Sequence, residues 1–362
     1  MQKIYICHQY YAPNHFQALY ECANIYGFEA ENLIVLNPMS AVKHRQMLIE
    51  QKGLKTADEW YTNNSVAQGR LWLLRDEIVV VGLAPYDRLF AQYQEVLKRN
   101  HSIYMTSWAD WHTDYVPYPY PDNKAGFMET LEKCIDGVAC ISHKTEREIS
   151  NWKEFTQVVN HAVKVDDYVK KNNFVRSGKY IFLGQLIERK NFRIVLDYMK
   201  RHPKKDISID FVGDGVLRDA IEEYASKDKR VHLLGYLSSD EIKVRLHEYD
   251  YLILPSREEL FGIVLLEAMA CGVPCIVSDA VGPSEIIAHD KTGIMFSLTD
   301  VKSFDFAMEY SIALDDDKYK CMCNAVLKES IRYDVSEVIK KWISLIKQVC
   351  SDSSMSVKNK ML

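Results

Sequence analysis

Residues 250–287 of the chain read DYLILPSREELFGIVLLEAMACGVPCIVSDAVGPSEII, and this stretch carries most of the information about the fold. The apolar run 251–254 predicts a buried strand that Pro255 ends, and the apolar run 262–270 predicts the helix that follows. In such a unit the loop lies at the carboxyl end of the strand, and the helix begins with free N–H groups and a positive dipole end. The stretch therefore predicts a strand–loop–helix unit whose loop suits a phosphate.

Two carboxylates, Glu259 and Glu267, lie on either side of the predicted helix start. Apolar residues flank Glu267 in both directions, so its charge is expected to be desolvated and to need a partner rich in hydrogen-bond donors. Ribose hydroxyls are donors of this kind. The alternative is that Glu267 is a core carboxylate paired with a nearby Arg, and that Glu259 is a helix-start residue favoured by the dipole.

The same stretch resembles the E-x7-E motif of the retaining glycosyltransferases of family 4, which have the two-domain GT-B fold and use a nucleotide-sugar donor. The match also includes Phe261-Gly262, Leu266 to Gly272, Pro274, Ser278 and Gly282 to Glu285. The resemblance implies that Glu259 holds hydroxyls of the donor sugar and that Glu267 holds the ribose. It also implies that Phe261, Gly262 and Ile263 contact the donor, with the N–H groups of Gly262 and Ile263 offered to the diphosphate.

The segment 184–191 resembles a second donor-binding part of that family. Gly184-Gln185-Leu186 and then Arg189-Lys190-Asn191 stand where the family usually shows Gly-Arg-Leu and then Lys-Gly. By resemblance, Lys190 neutralises the donor diphosphate as its bond to the sugar breaks. Gln185 departs from the pattern, so either Arg189 supplies the missing positive charge or Gln185 donates a neutral hydrogen bond. The alternative for Lys190 is a solvated lysine at a helix start.

Two loops complete the implied donor site. Gly213, in Gly213-Asp214-Gly215, resembles the family's strand-ending glycine turn, which permits a close approach of backbone and ligand; the alternative is an ordinary turn. Tyr236 and Leu237 resemble the loop beside the nucleotide base. The resemblance thus implies a nucleotide-sugar donor, a UDP-sugar being favoured over a GDP-sugar, with no other cofactor and no metal.

In the first half of the chain, polar and aromatic residues follow two predicted strands. Asn14 and His15 come after the strand 3–7, and Trp108, Asp110 and Trp111 come after a strand that begins at 102. The carboxyl ends of parallel strands line ligand sites, and aromatic rings stack on sugars, so we predict an acceptor site from these five residues.

A histidine near this place contacts the donor sugar in many members of the family. His112 is assigned this catalytic role and His15 is the alternative, while either one could be an ordinary surface or core histidine. Val159 to Val163 resembles the family's Asn-Gly-Val hinge segment, with His161 in place of Gly.

Predicted strands alternate with helical segments along the chain, at 3–7, 32–37, 77–83, 102–108 and 137–142, and again at 180–184, 207–213, 231–235, 251–255 and 274–278. This alternation is typical of parallel α/β sheets. With the resemblance, it predicts GT-B, two Rossmann-like doubly wound parallel-sheet domains facing a cleft. The expected divisions are an acceptor domain 1–165, a linker 166–178, a donor domain 179–334, a helix 335–350 that crosses back to the first domain, and a disordered tail 351–362.

Composition excludes several classes of function. A net charge of -5 lacks the basic field that nucleic-acid binding needs, and the nine scattered cysteines suit a reducing cytosol. Without a signal peptide or an apolar run of about 20 residues, we expect a cytoplasmic protein. A basic cluster at 43–55 fits peripheral binding to the inner face of an anionic membrane, or alternatively a solvated helix face.

Motifs and resemblance together predict a retaining, metal-independent hexosyltransferase. It would move a sugar from a nucleotide diphosphate to a glycan or lipid-linked oligosaccharide acceptor, in polysaccharide or glycoconjugate biosynthesis. One alternative is a GT-B partner subunit with weak turnover, favoured by Gln185 and by the absence of glycine before Gly27. Another is a phosphorylase or sugar-nucleotide epimerase on the same fold, which would need no acceptor glycan.

Overall fold

The chain forms two compact units, Met1–Ala162 with Val335–Leu362, and Val163–Asp334. The structure, a computed structural model, describes the following residues: 1–8, 15–34, 69–82, 93–106, 129, 131–150, 153, 155–300 and 302–356.

The first unit contains a six-stranded parallel sheet of order β2-β1-β3-β4-β5-β6. Its strands are β1 Gln2–His8, β2 Phe28–Ile34, β3 Ile78–Gly82, β4 His101–Met105, β5 Gly137–Cys140 and β6 Phe155–Val158. The described helices between them are α1 Gln17–Cys22, α2 Gln94–Lys98 and α3 His143–Ile149. Strands β3 and β5 are buried along their whole length, as expected of central strands covered on both faces.

The second unit contains another six-stranded parallel sheet, of order β12-β11-β10-β7-β8-β9. Its strands are β7 Lys179–Leu183, β8 Ser208–Val212, β9 Val231–Gly235, β10 Tyr251–Leu254, β11 Cys275–Ser278 and β12 Gly293–Phe296. Its helices are α4 Arg193–Arg201, α5 Arg218–Ala225, α6 Ser239–Arg245, α7 Ile263–Ala270, α8 Val281–Ile286, α9 Ser303–Ala313 and α10 Asp316–Ser330.

The strand order of the second sheet reverses between β7 and β10. Successive strands extend from β7 in one direction to β9, and the chain then returns so that β10 pairs with β7 on the other side, with Leu252 beside Ile181. The loops that leave these two strands therefore emerge side by side. Ligands of doubly wound sheets bind at such a point.

Aromatic rings fill the core of the second unit. Phe182, Phe192 and Phe211 pack with ring centroids 5.4–6.0 Å apart, and Tyr180 stacks on Tyr251 at 5.7 Å. Full burial of one phenylalanine side chain contributes about 2–3 kcal/mol, so this cluster holds β7, β8 and β10 rigidly beneath the loops.

The strand predictions hold within a few residues, with two omissions. Strands β6 and β12 were not predicted. Their sequences, FTQV and GIMF, are only four residues long and show no clear apolar period. Strand β2 begins at Phe28, before the predicted 32.

The segment 166–178 does not form the predicted linker, since it belongs to the second unit. Its polar side chains are anchored: Lys171 Nζ donates to the carbonyl oxygens of His247 and Tyr249, and Arg176 donates to those of Ser311 and Ile312. Polar composition alone does not separate a solvated linker from a segment held by hydrogen bonds.

The last helix, α11, spans Val335–Ser356 and contacts α1 and strands β4 to β6 of the first unit. Its Trp342 is fully buried, with its ring 6.3 Å from that of Phe16. The tail was predicted to be disordered from Ser351, but the helix continues to Ser356, and Ser351 Oγ donates to the Lys347 carbonyl oxygen at 2.6 Å. Residues 357–362 lie outside the described part. Among the described helices, none combines the length and apolarity needed to cross a bilayer.

Candidate functional site

Strand β10, the loop after it and helix α7 form the base of the candidate site. Gly262 caps the helix in the left-handed region at φ 86°, and a Cβ there would lie 3.1 Å from Leu254 Cδ2. Glycine thus allows the chain to turn directly from the loop into the helix. Gly262 and Ile263 consequently lie at the positive end of an eight-residue helix.

Lys190 and Glu259 form an ion pair beside this helix start. Their side chains are only 12% and 11% exposed, and Ser256 Oγ also donates to Glu259 Oε2, at 3.4 Å. Both were predicted as site residues from separate segments 69 positions apart, and the structure brings them together. The pair presents an ammonium group and a carboxylate at one point, suited to a ligand that carries both phosphate and hydroxyl groups.

The loops that carry this pair are tied to each other by hydrogen bonds. Asn191, in the left-handed region at φ 52°, donates from Nδ2 to the Pro255 carbonyl oxygen at 3.1 Å and accepts from Arg257 Nε at 3.3 Å. Arg189 donates from Nη1 to the Glu258 carbonyl oxygen at 3.1 Å. These contacts hold Lys190 in place relative to Glu259. The sequence did not predict that Asn191 and Arg257 connect the two loops, because the residues of one loop do not show which residues of the other loop they contact.

Gln185 lies at the carboxyl end of β7, and its side chain is exposed. Its neighbour along the sheet edge is Gly213, after β8, where a Cβ would lie 1.9 Å from the Gly184 carbonyl oxygen. The N–H of Gly213 donates to the Gly235 carbonyl oxygen at 2.8 Å, which brings the loop after β9 to the same edge. Tyr236 and Leu237 follow directly, the first 48% exposed and the second half-buried.

Glu267 lies inside α7 and is 7% exposed. Burial raises the pKa of Glu267 to about 7. Its hydrogen-bond partner is a phenol, not the arginine of the alternative interpretation: Tyr168 Oη donates to Glu267 Oε1 at 3.3 Å. Tyr168 was missed because its segment was read as a linker.

The side chain of Phe261 is buried. It is 4% exposed, and its ring packs edge-on against Tyr333 with centroids 6.0 Å apart. This ring supports the loop from within the core, so any ligand contact at this position would involve the backbone.

Of the predicted acceptor and histidine residues, only His15 falls within the described ranges. Its ring centroid is 4.8 Å from that of His161, and burial lowers the pKa of His15 to about 4. His15 is therefore neutral at pH 7. The other predicted residues lie outside the described part: Asn14, Trp108, Asp110, Trp111 and His112.

Among the described residues, no group of three or more His, Cys, Asp or Glu side chains is arranged to hold a metal ion. The acidic triplet Asp315–Asp317 begins α10, where Asp315 accepts from the Lys318 N–H at 2.8 Å. Asp316 pairs with Arg176 at 3.3 Å. Helix capping and ion pairing account for these two carboxylates.

Comparison with known proteins finds a family model that matches the second unit. Residues 165–325 match the family model of glycosyl transferases group 1. The second unit is similar to this family over most of its length. The match includes Tyr168, Lys190, Glu259 and Glu267. The 2-deoxystreptamine N-acetyl-D-glucosaminyltransferase of Niallia circulans is 26% identical over 229 residues, 56% of this chain and 56% of that protein. The chain spans about half the length of the curated relatives that it matches.

Solved structures extend the likeness to the whole chain. Sucrose-phosphate synthase from Thermosynechococcus elongatus superposes with a TM-score of 0.74 at 14% identity, covering 97% of this chain and all of that one. Anabaena HepE, solved in complex with UDP and glucose, gives 0.66 at 17% identity, covering 98% and 100%. The two parallel sheets are those of the GT-B fold.

Proposed function

We propose that the protein is a retaining glycosyltransferase that moves a hexose-type sugar from a nucleotide diphosphate to a glycan or lipid-linked oligosaccharide. The observation that carries this proposal is the Lys190–Glu259 pair at the start of α7, with the buried carboxylate of Glu267 on the same helix. A sugar diphosphate carries groups that match this arrangement: phosphate oxygens for the lysine and hydroxyl donors for the two carboxylates.

In the proposed complex, donor groups replace the contact between Lys190 and Glu259. Phosphate oxygens accept from Lys190 and from the N–H groups of Gly262 and Ile263, while hydroxyls of the sugar donate to Glu259. The charge that develops on the diphosphate when the sugar leaves is stabilised by the lysine and the helix dipole. This step requires no metal. The ribose binds Glu267, and the base lies beside Tyr236 and Leu237.

Arg189 is the proposed second cation for the diphosphate. Gln185 stands at the usual arginine position, and Arg189 lies one residue from Lys190, on the same 3-10 helix Glu188–Lys190. Its present bond is to a backbone carbonyl, so the guanidinium can turn to a phosphate without leaving a carboxylate unpaired.

A UDP-sugar is the favoured donor. One observation supports this choice: HepE, which shares the fold, was solved in complex with UDP and glucose. We further propose that the first unit binds the acceptor and that the protein acts in the cytoplasm, including at the inner face of a membrane.

The test is a thermal-shift series of the purified protein with UDP, GDP, ADP and their common sugars, with and without EDTA. Ligands that bind only the native state raise the melting temperature. A ligand concentration of 100 times Kd adds about 2.7 kcal/mol to the free energy of unfolding. We expect the largest shift with UDP or a UDP-sugar, unchanged by EDTA. Loss of the shift in EDTA would contradict metal independence. No shift with any nucleotide would contradict the proposal and favour the partner-subunit alternative.

A further inference from the structure

Tyr168 contacts the candidate site from a distant part of the sequence. It follows the 3-10 helix Val165–Asp167, its side chain is buried, and its hydroxyl donates to Glu267 Oε1 at 3.3 Å across 99 positions. A phenylalanine would fill the same volume, so the hydroxyl is not needed for packing. Its chemistry is directed at Glu267.

The direction of this hydrogen bond is determined by the ionisation of both groups. Burial, reinforced by the neighbouring Glu267 carboxylate, raises the pKa of Tyr168 far above its usual value. The phenol therefore keeps its proton and donates a hydrogen bond to Glu267. A carboxylate has room for further donors after accepting one, so Glu267 can still accept hydroxyl groups of a ligand.

We propose that Tyr168 is a positioning residue for donor binding: its hydroxyl orients the Glu267 carboxylate and favours its ionised form, so that the carboxylate accepts from the ribose hydroxyls. This inference rests on the proposed function, in which Glu267 holds the ribose. Tyr168 lies in the segment 166–178, so this segment would contribute to nucleotide affinity.

The charged and titratable groups around Glu267 come from three elements. Tyr168 comes from the segment after the 3-10 helix, Lys243 from α6 and Cys271 from the end of α7. Lys243 lies 3.4 Å from both Asp167 and Asp240, which share its charge. Burial raises the pKa of Cys271 to about 12, so the thiol is neutral near pH 7. Tyr168 is thus the group among these that donates a hydrogen bond directly to Glu267.

The experiment compares Tyr168→Phe, Glu267→Gln and the double variant with the wild-type protein. The Kd values of UDP, GDP and ADP are measured by titration calorimetry between pH 6 and pH 9. We expect Tyr168→Phe to weaken binding roughly tenfold at pH 7, the cost of one hydrogen bond to a charged group. The loss should shrink towards pH 9, because Glu267 without its donor ionises at higher pH.

The double variant separates a role through Glu267 from other effects. If Tyr168 acts through this carboxylate, Tyr168→Phe should change affinity little in the Glu267→Gln background. Glu267→Gln also removes the titration of residue 267, so the pH dependence that this variant loses is the part due to the Glu267 carboxylate.

Tyr249→Phe is the matched control. Tyr249 is also buried, and its hydroxyl donates to the carboxylate of Asp210 at 2.7 Å in the same unit. This substitution should leave nucleotide affinity and its pH profile unchanged.

Two negative outcomes are distinguishable. If the wild-type protein binds no nucleotide, the proposed function and this inference both fail. If it binds one, and Tyr168→Phe binds it with wild-type affinity and pH dependence, the proposed function stands and the inference is wrong. An equal loss in the Glu267→Gln background would also overturn it.

Discussion

At the scale of single residues, the candidate site contains two carboxylates in different environments. Glu259 is paired with a lysine, whereas Glu267 is buried with a neutral donor. A paired carboxylate can exchange its lysine for ligand hydroxyls. A buried one gains donors on binding and so strengthens the complex relative to the free protein. Each arrangement fits the part of a nucleotide sugar assigned to it.

Replacing Glu259 by Gln should reduce sugar transfer at least ~100-fold, since the sugar hydroxyls lose an ionised acceptor and Lys190 loses its partner. The measurement is release of the nucleoside diphosphate from the nucleotide sugar that binds, with circular dichroism to check folding. Glu222→Gln, which removes an exposed carboxylate paired with Arg218, should be fully active. Normal turnover of the Glu259 variant would remove this residue from the site.

Glu267 should make the ligand-free protein less stable as the pH rises. Its pKa is raised from 4.5 to about 7 in the folded state, so the folded protein holds this proton where the unfolded chain has lost it. Stability contributed by the protonated form is present below about pH 4.5 and is lost as the pH rises to 7. Glu267→Gln should therefore gain in melting temperature over the wild-type protein between pH 5 and pH 8. If the difference in melting temperature between this variant and the wild-type protein did not change with pH, the raised pKa would be contradicted.

At the scale of elements, the carboxyl edge of the second sheet depends on close backbone contact between loops. Gly213 allows this contact, as its φ of 136° and the 1.9 Å approach of a Cβ to the Gly184 oxygen both exclude a side chain. The loops after β7, β8 and β9 can meet only with glycine at this position.

Gly213→Ala should destabilise the second unit by more than about 2 kcal/mol, because backbone must move to admit the methyl group. Gly235→Ala is the matched control at the same edge: its φ is 71°, but the nearest atom to its Cβ is the end of the Arg218 side chain, 3.9 Å away. It should cost only about 1 kcal/mol, from the left-handed conformation alone. Urea unfolding measures both, and equal losses would show that contact with Gly184 is unimportant.

At the scale of the whole molecule, each unit has its own sheet and its own buried core. The chain leaves the first unit, forms the second and returns with α11, whose Trp342 is part of the first core. Stability of the first unit therefore depends on the last residues of the chain. A ligand that binds the second unit should not restore the stability that the first unit loses when α11 is weakened.

Trp342→Ala should destabilise the first unit by about 3–5 kcal/mol, the usual cost of removing a buried tryptophan. Lys340→Ala, on the same helix, should leave the transition temperature of this unit nearly unchanged, since its pair with Glu337 is exposed. In calorimetry, we expect Trp342→Ala to lower one transition while UDP still raises the other. A single transition that moves as a whole would contradict this division of stability.

The sequence alone determined the alternation of strands and helices, including the strand–loop–helix unit that contains Glu259 and Glu267. These are local properties: apolar runs, prolines, glycines and flanking residues specify strand β10 and helix α7 without reference to the rest of the chain. The roles of Lys190 and Glu259 were predicted from a family resemblance and stay predictions.

Only the tertiary structure decided which of these residues meet. Pairing of β7 with β10 brings Lys190 to Glu259, and packing of residues 165–168 against α7 brings Tyr168 to Glu267. The same contacts turned the predicted linker into part of the second unit. Composition could not foresee this, because a polar side chain that binds a distant carbonyl or carboxylate reads like one that is solvated. The hydrogen-bond partner lies far away in the sequence, so its contribution to stability cannot be read from the local residues.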